Sequence, residues 1–320
     1  MIVVAGEALV DLVPSPSAVR GQLADLMPRL GGGPYNVAIA AGRLGAPVSF
    51  LSRVSTDLYG DALVERLHGS DVRTDLVQRG DEPTTLAVVG IGPDGSARYS
   101  FYVEGTADRL VTDPGPLADD VTAVSFGTLS LVLEPGASAY EEVLRREAAR
   151  GALTVLDPNI RAALIHDPAA YRARYAAWLP HVGLLKVSVE DARWLADLPE
   201  DASEDAVLDV ARKWQAAGPA AIVLTRGGDG LAVLTGAGEV LRVPPREVSV
   251  VDTIGAGDTV QGALIAWLHQ NDALTAAAVG ALTAREWEGA LTYAGNAAAF
   301  TCTRAGAEPP FAGELAAFAG

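Results

Sequence analysis

Short apolar runs along the chain alternate with longer segments whose apolar positions recur at helical spacing. The apolar runs predict buried β-strands at residues 1–13, 48–54, 121–127, 153–157, 182–188 and 220–225. The longer segments predict helices at residues 141–150, 259–268 and 290–299. Strands that alternate with helices predict an α/β fold, in which a doubly wound, mostly parallel sheet carries helices on both faces. We expect a single domain over residues 1–320.

Two runs of alternating apolar and polar residues interrupt this order. TTLAVVGI and SARYSFYV lie within residues 84–103, and Gly92-Pro93-Asp94-Gly95 separates them. Glycine, proline and aspartate favour tight turns, so the pair predicts a β-hairpin. A hairpin inside a strand–helix alternation indicates a separate small sheet, to which we expect part of residues 14–30 to contribute.

A glycine turn followed by an acid marks the last third of the chain. The β-rich run REVSVVDT (246–253) is followed by Gly255-Ala256-Gly257, then Asp258 and the apolar segment 259–268. Glycines allow close approach of the backbone, and N–H groups at a helix start bind anions. An acid beside a bound anion suits a group that takes the proton of an attacking hydroxyl, as in phosphoryl transfer to an alcohol. The alternative is a tight strand-to-helix corner with Asp258 as a helix cap.

Composition narrows the classes of partner. The 320 residues are 49% hydrophobic and 20% charged, and the net charge is −16. A strongly acidic chain argues against nucleic acid or an anionic membrane as a partner. Cys302 is the single cysteine, which excludes an intramolecular disulfide and a cysteine-cluster metal site. The sequence has no basic leader and no apolar run of membrane-spanning length, so we expect a cytoplasmic protein.

Two motifs carry a resemblance to a known family. DTIGAGDT (252–259) and GGGPYN (31–36) resemble the signatures of the ribokinase-like (PfkB) carbohydrate kinases, in the same order and separation. The resemblance spans nearly the whole chain, and it implies a ribokinase-like fold whose small sheet, at about 12–30 and 84–110, forms a lid over the sugar. GGGPYNVA, EGTAD, LEP and DPNIR favour the fructokinase-like branch.

The resemblance also implies roles for residues of this chain. Asp258 is the implied base, and the N–H groups of Gly255, Ala256 and Gly257 hold the transferred phosphoryl group. The implied sugar contacts are Asp11, Gly32, Gly33, Asn36, Tyr102 and Arg161. Arg161 has several alternatives: a sugar hydroxyl, an acid group, the transferred phosphate, or a loop clamp with Asp157.

The nucleotide and ions follow from the same resemblance. The implied contacts with ATP are Ser188, Thr225, Gly227, Gly230, Gly257 and Asn296. Glu190 and Asp191 would organise Mg²⁺ indirectly, although Ser188 and Asp191 replace the asparagine and glutamate of the family's element there. A K⁺ ion would lie within a ring, mostly of backbone oxygens, from Asp252, Ile254, Thr301, Arg304 and Gly306.

The implied reaction is ATP-dependent phosphorylation of a small sugar, with fructose as the first expectation. A 2-keto-3-deoxygluconate kinase, which shares DPNxR, and a ribokinase are the alternatives. A different class is a catalytically silent sugar-binding or regulatory protein on the same fold, although the acid retained in GAGD argues against it. The resemblance also allows a homodimer through the edge of the lid.

Overall fold

The computed structural model describes residues 1–15, 25–91 and 97–320. The strands in these residues are β1 Ile2–Ala5, β2 Leu9–Pro14, β3 Leu26–Gly31, β4 Val48–Ser55, β5 Val72–Arg73, β6 Val77–Gly80, β7 Leu86–Ile91, β8 Ala97–Tyr102, β9 Ala123–Gly127, β10 Leu153–Asp157, β11 Leu184–Ser188, β12 Ala221–Thr225, β13 Leu231–Leu234 and β14 Val240–Val243. The α-helices are α1 Gly33–Arg43, α2 Leu58–His68, α3 Gly136–Arg150, α4 Pro168–Trp178, α5 Val189–Leu195, α6 Glu204–Ala217, α7 Ala256–Gln270, α8 Ala276–Ala281, α9 Ala284–Cys302 and α10 Ala312–Ala319.

The larger sheet is mostly parallel and doubly wound. Its order is β14-β13-β12-β11-β10-β9-β1-β4-β5, with β6 also beside β4. The strands from β12 to β5 pair in parallel, whereas β12, β13 and β14 pair antiparallel. After β1 the chain adds β4 on one side of β1 and later adds β9 on its other side. The strand order therefore reverses between β1 and β9. Ligands of open α/β sheets bind at the carboxyl ends of strands around such a point.

Helices cover both faces of this sheet, as the strand–helix alternation predicts. One apolar core includes Trp287 of α9 and the buried sides of α1 and α7. The other includes Tyr140 of α3 and Trp178 of α4. In the described part of the chain, no helix is both long and apolar enough to cross a membrane.

The small sheet has the order β3-β2-β7-β8. The predicted hairpin is confirmed, because β7 and β8 pair antiparallel from Leu86 opposite Tyr102 to Ile91 opposite Ala97. Its turn, Gly92–Gly95, lies outside the described residues. Residues 26–31 form β3 beside β2, which confirms the expected contribution from residues 14–30.

The prediction of one strand over residues 1–13 is wrong, and the β-rich run before the glycine turn is not a strand either. Residues 1–13 form two strands in different sheets, because the chain turns at Gly6. Gly6 has φ 151°, and a Cβ there would lie 2.3 Å from Pro34 Cγ. Both halves are apolar, so periodicity could not show the break. The β-rich run 246–253 forms no strand; Val250 and Val251 are more than 60% exposed, without a sheet neighbour to bury them.

Candidate active site

The turn before α7 presents backbone N–H groups to a cavity. Gly255 is the N-cap of α7 and has φ 75°, a left-handed conformation that favours glycine. Gly255 and Gly257 line a cavity of about 330 Å³, with Ala256 between them as the first residue of the helix. The first N–H groups of a helix have no partner within the helix, and with the positive end of the helix dipole they make this turn suitable for an anion, although the Ala256 N–H here donates to the Thr253 carbonyl at 3.2 Å.

Asp258 lies in the first turn of α7 and is only 9% exposed. Asn36 Nδ2 donates to its Oδ2 at 2.9 Å, and Asn159 Nδ2 lies 3.5 Å from its Oδ1. Burial raises the pKa of Asp258 to about 6, while the Asn36 hydrogen bond and the Lys186 charge act in the opposite direction. A carboxylate with a raised pKa that is still ionised at neutral pH suits a general base.

The cavity lies at the carboxyl ends of β1, β9 and β10, against β2 and β8 of the small sheet. The sequence-predicted residues that line it are Asp11, Gly32, Gly33, Asn36, Arg161, Gly255, Gly257 and Asp258. The buried Oδ1 of Asn36 has no hydrogen-bond partner among the described residues.

Asp11 and Arg161 both line this cavity, and their charges interact. Burial raises the pKa of Asp11 to about 6, with Arg161 lowering it and Asp258 raising it. Arg161 Nη1 donates to Asn159 Oδ1 at 2.8 Å. The alternative of a clamp between Arg161 and Asp157 is wrong, because Asp157 instead pairs with Lys186.

The aromatic residues of β8 differ from the sequence expectation. Tyr99 and Phe101 line the cavity, with their rings stacked at 5.8 Å. Tyr102, the residue selected from the sequence, is 62% exposed and lies outside the cavity lining. Neighbouring residues of a strand point to opposite faces, so Phe101 and Tyr102 cannot both face the cavity. Alternation identifies the two faces of β8 but does not show which one meets the ligand.

Glu7 is a cavity residue that the sequence analysis did not select. It is 2% exposed and lies between β1 and β2. Its two carboxyl oxygens accept the N–H groups of Gly33 and Ser130, each at 3.1 Å. Burial raises its pKa to about 8. The signal was present as an acid within the apolar run IVVAGEALV.

A second group of polar residues lies under the turn, on β10, β11 and α5. Lys186 Nζ lies 2.6 Å from Asp157 Oδ2, and both side chains are buried. Asp191 accepts the N–H of Ile160, and burial raises its pKa to about 6. Ser188 Oγ caps α5 by accepting the Asp191 N–H.

Glu190, the other residue implied for Mg²⁺, is exposed. Among residues 1–15, 25–91 and 97–320, no three His, Cys, Asp or Glu side chains come together as a metal site. Mg²⁺ commonly binds one or two carboxylates together with substrate phosphates and water. Asp191 fits that mode better than Glu190, because it lies near a second carboxylate, Asp157, which acts on its pKa, whereas Glu190 is exposed.

The residues implied for ATP follow the same sheet edge beyond the cavity. Ser188 and Thr225 are paired in register at the carboxyl ends of β11 and β12. Gly227 and Gly230 have φ 54° and 86°, and a Cβ on Gly230 would lie 2.3 Å from the Val243 carbonyl oxygen. Asn296 lies on α9, which packs against β13 and β14.

Asp252 joins the two loops implied for K⁺. Its Oδ1 accepts the Ile254 N–H at 3.0 Å and its Oδ2 accepts the Gly306 N–H at 2.8 Å. Thr301 lies in the last turn of α9 and Arg304 in the loop that follows, where the Arg304 N–H donates to the Thr301 carbonyl at 3.0 Å. The residues of this implied ring therefore come from the loop before α7, the last turn of α9 and the loop after it. Carboxylate and carbonyl oxygens suit a hard cation.

Comparisons with known proteins agree with this geometry. The pattern of the pfkB family of carbohydrate kinases matches residues 1–312. The fructokinase of Rhizobium leguminosarum bv. trifolii is 37% identical over 284 residues, which are 88% of this chain and 84% of that protein. The crystal structure of Xylella fastidiosa fructokinase with bound ATP has a TM-score of 0.86 at 26% identity, and the match covers 99% of this chain and 97% of that one. Vibrio cholerae O395 fructokinase with fructose, ADP and a calcium ion shares the fold, with a TM-score of 0.83, 24% identity and coverage of 100% and 98%.

Proposed function

Because the chain belongs to the pfkB family of carbohydrate kinases, we propose that it transfers the γ-phosphoryl group of ATP to a hydroxyl of fructose. The observation that carries the reaction is the buried Asp258 carboxylate at an N–H-rich helix start, beside a polar cavity. The 37% identical relative is a fructokinase, which supports fructose as the sugar.

In the proposed reaction Asp258 takes the proton of a sugar hydroxyl as the hydroxyl oxygen attacks the γ-phosphorus of ATP. The bond from that phosphorus to the β–γ bridging oxygen breaks, and ADP leaves. The N–H groups of Gly255, Ala256 and Gly257 stabilise the negative charge of the transferred group. Positioning and electrostatic stabilisation supply most of the catalysis in such transfers.

We assign the sugar to the cavity that Asp11, Asn36 and Arg161 line together with Gly32 and Gly33. A carboxylate accepts hydrogen bonds from hydroxyl groups, and hydrogen bonds to a charged acceptor are stronger than those between neutral groups. Asp258 also lines the cavity, so two carboxylates outnumber the one guanidinium among the described lining residues, whereas Glu7, with its pKa raised to about 8, is mostly neutral there. This excess favours a neutral sugar such as fructose over the carboxylate of 2-keto-3-deoxygluconate. Ribose stays the alternative neutral sugar.

We assign ATP to the edge beyond the sugar, along the ends of β11 and β12. Ser188, Thr225 and Gly227 lie there, while Gly230 shapes the loop and Asn296 belongs to α9, which packs against the neighbouring strands β13 and β14. Asp191 would hold Mg²⁺ through water, and the ion would neutralise phosphate charge. The loops joined by Asp252 would hold K⁺ next to the anion-binding turn.

The assembly and location of the protein are further parts of the proposal. The outer strands of the small sheet are β3 and β8, and either offers an edge for a homodimer through the lid. We place the activity in the cytoplasm, and we expect neither nucleic acid nor a membrane as a partner. The domain organisation is proposed as one kinase domain over residues 1–320.

A coupled ADP-release assay with Mg-ATP tests this function. The panel is fructose, ribose, 2-keto-3-deoxygluconate and adenosine, each with and without K⁺. We expect turnover with fructose, and Asp258→Asn should lower kcat by roughly 10²–10⁴, the range for a general base. Asp119→Asn, at an exposed surface position, is the matched control and should keep the native kcat. Near-native kcat in Asp258→Asn would remove Asp258 from this role. Absence of both turnover and Mg-ATP binding would refute the kinase and favour the silent sugar-binding alternative.

A further inference from the structure

A buried ion pair lies directly beneath the anion-binding turn. Lys186 is the third residue of β11, and Asp157 is the last residue of the neighbouring strand β10. The Nζ–Oδ2 distance is 2.6 Å, and each side chain is 5% exposed. Burial opposes the charged form of Lys186, but the adjacent Asp157 more than offsets burial and the pKa of Lys186 is raised. The ammonium group therefore stays charged.

Stability does not explain this pair. A central strand of a parallel sheet is normally apolar on both faces, and the other described residues of the β11 interior are leucine and valine. Replacing a buried ion pair with apolar residues of similar volume is often neutral or stabilising. A lysine kept inside the sheet at the carboxyl edge therefore points to a role in the adjoining site.

The ammonium group reaches the start of α7. A Cβ on Gly257 would lie 3.2 Å from Lys186 Nζ, which among the described residues is the one neighbour within 4 Å apart from the adjacent residues and the helix's own backbone. The groups that hydrogen-bond to Asp258 or act on its charge come from several elements. They are Asn36 of α1, Asp11 of β2, Asp157 of β10, Asn159 and Arg161 of the following loop, and Lys186 of β11.

Lys186 decides the balance among these charges. Asp11 and Asp157 favour the protonated form of Asp258, whereas Arg161 and Lys186 favour its carboxylate. Without Lys186, Asp258 would face two acids and one guanidinium in a buried site. With it, the charges around Asp258 are matched.

We propose that Lys186 is a positioning residue that keeps Asp258 in the carboxylate form, and that Asp157 fixes the ammonium group beneath Gly257. This inference rests on the proposed function, in which Asp258 must be ionised to accept the hydroxyl proton. In this inference the Lys186–Asp157 pair keeps Asp258 ionised.

Three variants separate charge from packing. Lys186→Met removes the cation and leaves Asp157 negative, so the acidic limb of the kcat–pH profile should shift to higher pH by roughly 1 pH unit or more. Asp157→Asn leaves the ammonium without its partner acid, so the limb should move in the opposite direction. The double variant Lys186→Met/Asp157→Asn removes both charges, and its limb should lie between those of the single variants.

The measurement is kcat with saturating fructose and Mg-ATP between about pH 5 and 9. Near neutral pH, we expect kcat to fall most in Lys186→Met. An upward shift in both single variants, or no shift in folded Lys186→Met, would overturn the inference. If Lys186→Met does not fold, Asp157→Asn still decides, because an upward shift there contradicts the proposal.

A carboxyl-carbon NMR titration of Asp258 in the protein without ligands keeps the two proposals apart. Asp258→Asn identifies the signal. The order of the Asp258 midpoints among the variants tests the Lys186 assignment, whichever sugar is the substrate. Absence of native turnover with every sugar would refute the proposed function, whereas unchanged midpoints would refute the role of Lys186.

Discussion

Two glycines of the turn before α7 make different contacts, and alanine substitutions separate folding from chemistry there. Gly255 has φ 75°, and a Cβ would lie 2.4 Å from Ala307 Cβ and 3.0 Å from Ala307 Cα. The left-handed conformation costs a non-glycine residue about 1–2 kcal/mol. Crowding against a packed neighbour adds about 1–3 kcal/mol. We therefore expect Gly255→Ala to lower the free energy of unfolding by about 2–5 kcal/mol.

This loss in the free energy of unfolding corresponds to a lower melting temperature, Tm. The entropy of unfolding near the midpoint is about 2.1 cal/mol/K per residue, so 1 kcal/mol corresponds to about 1.5 °C for a chain of this length. Gly255→Ala should lower Tm by about 3–7 °C. Differential scanning fluorimetry without ligands, supported by circular dichroism, measures this change.

Gly257→Ala is the matched control. Gly257 lies inside the first turn of α7, and among the described residues its added Cβ would meet Lys186 Nζ at 3.2 Å, so the ammonium group must shift by a few tenths of an ångström. Alanine is favoured over glycine inside a helix by about 0.5–1 kcal/mol, which offsets that shift, so Tm should stay within about 1 °C of the native value. The kcat should nevertheless fall, because the methyl group enters the proposed anion-binding turn. Equal Tm losses in both variants would refute the contact argument, and native kcat in Gly257→Ala would refute the assignment of that turn.

Two further predictions concern Glu7 and Asp252. The pKa of Glu7 rises from its usual 4.5 to about 8 on folding, so the stability that its neutral form contributes is complete below about 4.5 and is lost as the pH rises through about 8. Glu7→Gln cannot ionise, so its Tm relative to the native protein should increase from pH 5 to pH 9, and a constant difference would contradict the raised pKa. Asp252→Asn should reduce activation by K⁺, because Asp252 joins the loops at Ile254 and Gly306. The ratio of kcat in KCl to kcat in tetramethylammonium chloride measures this, and an unchanged ratio would refute the cation assignment.

Local sequence predicted the chemical centre of the site better than its surroundings. A glycine turn, an acid and an apolar helix are adjacent in the chain, so their arrangement follows from backbone chemistry alone. The contact between Asn36 and Asp258 joins residues 222 positions apart. Neither periodicity nor spacing predicts such a contact, and only the family resemblance placed both residues in one site.

The residues that sequence analysis missed are polar groups inside apolar runs of the sequence. Glu7 and Lys186 each interrupt an apolar run, and the same interruption occurs wherever a strand reaches solvent. Burial distinguishes the two cases, and it depends on the neighbours that the fold supplies. Lys186 is buried because β10 and β12 flank β11. The choice of Tyr99 over Tyr102 likewise depends on which face of β8 meets the larger sheet.

The site must reconcile an ionised base with a negatively charged phosphoryl donor in a protein of net charge −16. Surrounding Asp258 with cations would hold ATP, but it would also lower the pKa of Asp258 and weaken it as a base. In the proposed arrangement, uncharged N–H groups at the start of α7 bind the phosphoryl group during its transfer. One buried ammonium group, that of Lys186, offsets the neighbouring acids. With a pKa of about 6, Asp258 is mostly ionised at neutral pH, yet it is a stronger base than an exposed aspartate. The requirement for both properties explains why the anion-binding turn is built from glycine and alanine rather than from arginine or lysine.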